Sequence, residues 1–250
     1  MIFRSFIYLD AEKLDEYLSI IGEVDKARKT TKSHKVGFGA NAGIASANVE
    51  FTSESDSYHQ LGPAAQCKLF ENALIKYANE EYFDNLTQDV DLLTVPPMAI
   101  VRTQGILEVP EVFDVYKMME GYAPMMHQLG ILESGLDNKE TEFVLGLFKN
   151  ANYDTPAIID CEGTRISTKL KSQYIKGGYE ALEDCLDDEI TVLYKVTAVR
   201  TEGNVVIFDP MKDFIKLNRA LRRSMERNEQ TQPITAEAPI VKAEVLAIYR

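Results

Sequence analysis

The chain has 250 residues, 45% of them hydrophobic and 26% charged, with a formal net charge of −12 at pH 7; that is enough apolar content for a buried core and excludes disorder throughout. An acidic surplus of this size repels phosphate backbones at long range, so nucleic acid is not expected as a partner. No run approaches the roughly 18 apolar residues of a membrane span, the N-terminal apolar stretch lacks a small-residue cleavage site, and the three irregularly spaced cysteines, Cys67, Cys161 and Cys185, make no disulfide framework. A cytoplasmic protein with reduced thiols is expected.

Phe3 to Leu9 is a short apolar run, and Leu14, Tyr17, Leu18 and Ile21 follow at helical spacing, which predicts a strand and then a helix. Asp10 suits the N-cap, with Leu9 and Leu14 at the two positions of a hydrophobic staple and Gly22 as a stop. After a basic loop from Lys26 to Lys35, Ala45, Val49 and Phe51 alternate with polar residues in a period-two strand; with Val36 to Gly39 it predicts a β-hairpin. Gly62-Pro63 signals a helix start, and Cys67, Phe70, Leu74 and Tyr77 mark one face of that helix.

Pro96-Pro97 and the acidic stretch before it place a boundary near residue 95. Beyond it, Val101, Thr103, Leu107 and Val109 share one parity around Gly105, a strand. Pro110 then opens a helix with Val112, Val115, Tyr116 and Met119 inward, and Lys139 to Phe148 reads as another. Pro156 to Asp160 and Ile190 to Val199 are predicted strands, the latter turning at Glu202-Gly203-Asn204 into Val205 to Phe208 as an antiparallel pair. The segment 211–227 predicts an amphipathic helix with Phe214, Leu217, Leu221 and Met225 on one side. The fold class that results is α+β, with mixed, mainly antiparallel sheets and packed helices in one or two closely associated domains. The expected organisation is an N-terminal α+β region over residues 1–95, a C-terminal α+β region over 96–227, a linker 228–239 and a terminal strand in 240–250 docked on the body.

Chemistry-bearing motifs are scarce. Gly37 to Gly43 is glycine-rich, but its spacing departs from the dinucleotide pattern and a strand follows, so a hairpin is preferred to a phosphate loop. Cys161 lies between Asp160 and Glu162, and Cys185 among Glu183, Asp184, Asp187 and Asp188; neighbouring carboxylates oppose thiolate formation. Cys67 reads as core. His34, His59 and His127 are isolated from metal-ligand spacings. No catalytic residue, metal or cofactor is assigned. The charge is polarised: 178–189 is wholly acidic among its charged residues, whereas 211–227 carries Lys212, Lys216, Arg219, Arg222, Arg223 and Arg227. The acidic block reads as a solvated surface, while Lys212, Lys216, Arg219, Arg222 and Arg223 are the candidate partner-binding residues, set against the plainer reading of an amphipathic helix on the core.

Phe6-Ile7-Tyr8-Leu9-Asp10, followed by Leu14 to Ile20, resembles the opening of an uncharacterised bacterial family with a "YLD" strand end leading into a helix. Ile100 to Pro110, Thr191 to Val196 and the ending Val245 to Arg250 match the same family in type. That family includes the small first component of the Dodola anti-phage system, whose second component looks like a ClpB-type AAA+ ATPase. The resemblance implies a defence role as a non-enzymatic effector, sensor or adaptor beside that ATPase, and it transfers no active site. The rival readings are a hydrolase or nucleotide-processing enzyme with dispersed carboxylates, and an electrostatic binding module built on 211–227. A homo-oligomer is compatible with each.

Overall fold

The computed structural model describes residues 4–21, 62–77, 81–111, 113, 154–209, 212–213 and 232–250. The hairpin expected in 36–51, the helix of 139–148, the three histidines and most of the 112–119 and 211–227 helices lie outside the described residues. The chain divides into two compact units, Leu9–Tyr82 and Met1–Tyr8 with Phe83–Arg250.

In the first unit, residues 11–21 form helix α1. Asp10 caps it as expected, its Oδ1 accepting the Lys13 amide at 3.1 Å, which satisfies one of the free N–H groups of the first turn. Leu14 and Leu18 are buried, and Tyr17 stacks on Phe70 with ring centroids 5.9 Å apart. Phe70 belongs to α2, Pro63–Tyr77. Pro63 holds the first helical position, where a missing N–H costs nothing, and the Gly62 carbonyl accepts from Ala65 and Gln66. Cys67, Phe70 and Leu74 are buried along one face, at the spacing the sequence shows.

The second unit is built on a seven-stranded sheet: β1 Phe6–Leu9, β2 Tyr82–Asp84, β3 Ile100–Glu108, β4 Thr155–Cys161, β5 Thr164–Leu170, β6 Glu189–Arg200 and β9 Ile240–Tyr249. A separate ribbon pairs β7 Asn204–Phe208 with β8 Ile234–Glu237. Five strands close on themselves: β3 pairs β4, β4 pairs β5, β5 pairs β9, β9 pairs β6, and β6 returns to β3. Within this ring β5 and β9 run parallel and the other four neighbours antiparallel. Between β5 and β6 lies the short helix α3, Gly178–Glu183. Numbered within the ring, the order is 1-2-3-5-4 with strands three and five parallel, the connectivity of the five-stranded Greek-key barrel called the OB fold. The α+β class expected from the sequence holds, and its sheet is more closed than the sequence discloses.

Two departures from the expected pairing accompany this closure. One edge of β6 pairs β3 along Glu189–Lys195 and the other pairs β9 along Thr191–Arg200, and the next strand joins a separate ribbon. The predicted hairpin of 190–199 with 205–208 is therefore corrected: β7 pairs with β8, and Ile234–Glu237 is a strand within the stretch read as linker. The ribbon's Val205, Ile207 and Ala236 pack with Ile240 and against Ile158 of β4.

The barrel's core follows from period-two alternation. Leu107, Ile159, Ile166 and Val241 are successive in-register neighbours on four strands, and each is fully buried. Removing such a side chain from water contributes roughly 1.5–3 kcal/mol. Phe113, outside the face expected to point inward, is fully buried too, with its ring 5.7 Å from Phe208 and 5.8 Å from Tyr179.

Candidate functional site

The row beside that core row faces outward. Glu189 of β6, Ile106 of β3, Asp160 of β4 and Arg165 of β5 are in-register neighbours, so their side chains lie on one face at contact spacing. Ile106 is 44% exposed, an isoleucine between two carboxylates. Glu189, Ile106 and Asp160 border an open cleft of about 690 Å³, which Asn85, Leu86 and Glu162 also line.

Three local features shape it. The first is the β4–β5 hairpin, whose Cys161 and Thr164 pair across the two-residue loop Glu162-Gly163. Both loop residues have positive φ, 47° and 97°, the condition of a type I′ turn. The second is Gly105, in the wall of the cleft: a Cβ there would lie 2.6 Å from the Asp160 carbonyl oxygen and 2.8 Å from Cys161 Sγ. The absent side chain lets β4 close onto β3, and the Cys161 thiol fills the space. The third is the loop after β2. Asn85 donates from Nδ2 to Thr103 Oγ1 at 3.0 Å and accepts the Val90 amide at 2.9 Å, while its own amide bonds the Arg102 carbonyl at 2.8 Å.

Behind this loop Arg102 makes a two-pronged contact with Asp84, Nε to Oδ1 at 2.9 Å and Nη2 to Oδ2, and both side chains are mostly covered. Burial by itself would raise the Asp84 carboxyl, but the hydrogen bond and charge of Arg102, with bonds from Leu86 and Thr87, outweigh it and hold the group below its ordinary 3.8. The pair fixes the position from which Leu86 reaches the cleft.

The floor is uncharged. Burial, then the charge of Asp160, pushes the Cys161 thiol up to about 12 against a hydrogen bond with Thr103, and Glu162 adds to the rise. Tyr194, fully buried opposite Val101, is shifted upward by burial and then by Cys161. Cys161 is thus held as a thiol, in the direction its acidic neighbours indicate in the sequence, and desolvation is the larger cause. Around this neutral floor Asp160, Glu162 and Glu189 present separate charges: among the described residues no three His, Cys, Asp or Glu side chains gather to hold a metal ion.

Of the candidate partner-binding residues, Lys212 is exposed, whereas Lys216, Arg219, Arg222 and Arg223 lie outside the described residues. The start of their segment is anchored: Asp213 accepts the Asp209 amide at 2.9 Å and pairs with Lys169 of β5 at 2.6 Å. In the acidic block Asp188 pairs with Arg250 at 2.7 Å, a countercharge from the last residue of the chain. Cys67 and Cys185 are buried and neither is in a disulfide; Cys185 donates to the Ala181 carbonyl at 3.1 Å. The residues that sequence reasoning missed are Ile106, Leu86 and Glu189, whose relation exists only through strand register.

Fold and cleft define an α+β protein carrying a small closed barrel with an acidic, partly apolar groove on its wall. The chain belongs to the DUF6414 family, a domain of unknown function whose profile matches residues 3–249. No curated protein and no solved structure matches it. Among the described residues no helix is long and apolar enough to cross a membrane.

Proposed function

We propose that the chain is a non-enzymatic effector, sensor or adaptor of bacterial anti-phage defence that acts in the cytoplasm with a ClpB-like AAA+ ATPase. The defence role and the partner are supported by the resemblance of its strand-helix opening and later strands to the family that includes the first Dodola component. The non-catalytic half is carried by one observation, the makeup of the cleft. Its thiol is held protonated, and its carboxylates stand as separate charges around an exposed isoleucine. Covalent catalysis needs an activated nucleophile with a base in reach; this arrangement suits recognition instead.

Affinity purification of the tagged chain from its native host tests the reading. A AAA+ ATPase should co-elute in fixed stoichiometry, and the isolated chain should hydrolyse neither nucleotides nor esters. Elution of the chain alone at low ionic strength, or turnover that tracks the folded protein, would contradict it. The cations of the segment 211–227 are the proposed second, acid-seeking element for such a partner; of them Lys212 is described, and it is exposed. Lys216→Glu with Arg223→Glu should then weaken the complex, and the wild-type complex should weaken with added salt.

A further inference from the structure

The barrel wall carries a charge imbalance that the fold leaves uncompensated. Asp160, Glu162 and Glu189 have no ion pair among the described residues, although ion pairs elsewhere occupy Asp84, Asp188, Asp213 and Glu244. The one cation in the row, Arg165, directs its Nη2 to the Glu237 carbonyl at 3.0 Å. Between the carboxylates Ile106 is 44% exposed, and Leu86, which also lines the cleft, is 38% exposed. Large apolar side chains flanked by unpaired carboxylates in a concave surface fit a ligand with the reverse pattern, apolar side chains flanked by cations. A free metal ion does not fit, because the carboxylates do not converge. A polyanion is repelled.

We infer that this cleft is a docking groove for a peptide segment of a protein partner in which leucine or isoleucine is flanked by arginine or lysine. Ile106 and Leu86 receive the apolar side chains while Glu189, Asp160 and Glu162 receive the basic ones. The inference rests on the adaptor reading, to which it adds the chemistry of the contact. The groove is pre-formed: Gly105, the type I′ hairpin and the Arg102–Asp84 clamp fix its walls without help from the ligand, which lowers the ordering cost of binding.

The test is fluorescence anisotropy with the full chain and a fluorescein-labelled nine-residue peptide centred on Arg-Leu-Arg-Ile-Arg. Wild type should bind, and binding should weaken between 50 and about 300 mM salt. Glu189→Lys and Ile106→Thr, both at exposed positions, should each weaken it about tenfold, roughly the loss of one good contact, with melting temperatures unchanged. Peptides with glutamate for arginine, or serine for leucine and isoleucine, should not bind. Equal binding of either control, equal binding by the folded variants, or no binding by folded wild type would overturn the inference. The ATPase co-purification separates the two claims. Co-elution of the ATPase without peptide binding sinks the groove and leaves the adaptor; peptide binding without any ATPase does the reverse.

Discussion

Gly105→Ala should destabilise the barrel more than its single added methyl implies. Its Cβ would stand 2.6 Å from the Asp160 carbonyl, 2.7 Å from Ile159 Cγ2 and 2.8 Å from Cys161 Sγ, all below an ordinary carbon contact of about 3.5 Å or more. The Cys161 side chain can rotate away, but the carbonyl belongs to the β3–β4 ladder that pairs Ile106 with Asp160, so relief means parting two strands of a closed ring. Overpacking of this kind costs typically 1–3 kcal/mol, with the upper end expected against a backbone oxygen at 2.6 Å, and alanine returns about 0.4–1 kcal/mol by restricting the unfolded chain, leaving a net loss of about 2–2.5 kcal/mol. At about 2–4 °C per kcal/mol for a chain of this size, the barrel transition should fall by up to about 10 °C in scanning calorimetry. Gly203→Ala is the control: no atom lies within 4 Å of its Cβ position and its φ is 79°, so its cost is backbone strain alone, about 1 kcal/mol. If Gly105→Ala melts at the wild-type temperature, the close approach of β3 and β4, and with it the closure of the ring, is wrong.

Asp84→Asn should cost roughly 3 kcal/mol by leaving a mostly covered Arg102 without its charge partner, read by denaturant titration. Because the folded carboxyl is held below 3.8, its contribution is fully present above that pH and is lost as pH falls through the depressed value; wild type should lose stability in that acid range by a component the variant lacks. With its thiol near 12, native Cys161 should be about one part in 10,000 thiolate at pH 8 and react with iodoacetamide far more slowly than in the denatured chain, while the Cys161→Ser and Cys185→Ser double variant should keep its function. Fast native labelling of Cys161 would revive a covalent role. Asp10→Ala should cost about 0.5–2 kcal/mol through loss of the α1 cap and Asp10→Asn much less; loss of function by Asn with unchanged melting would point to chemistry at Asp10.

Local signals in the sequence announced local structure. Asp10 before a helical repeat, Gly62-Pro63 before another, and the parity of Val101, Thr103 and Leu107 each appear in the fold where they stand in the chain, because capping, proline geometry and strand alternation act over a few residues. The β5 strand was less legible: Arg165, Ser167 and Lys169 alternate with Ile166, Thr168 and Leu170, but threonine and serine blunt the hydrophobic contrast. The four residues of β8, set between Pro233 and Pro239, made no run long enough to register. Barrel closure was invisible for a different reason. The parallel pairing of β5 with β9 joins residues about 75 positions apart, and no local pattern encodes which edges meet. The cleft inherits that blindness, since Glu189, Ile106 and Asp160 become one row only through ladders of distant strands.

The reading that this chain recognises and regulates rather than catalyses can be put to the ATP turnover of the AAA+ ATPase expected to co-purify with it. Turnover is followed as wild-type chain or Glu189→Lys is titrated in. Wild type should shift the ATPase rate to a plateau at fixed stoichiometry, whereas Glu189→Lys should need about tenfold more protein for the same shift. An ATPase rate indifferent to the wild-type chain, with no complex in sedimentation, would contradict it.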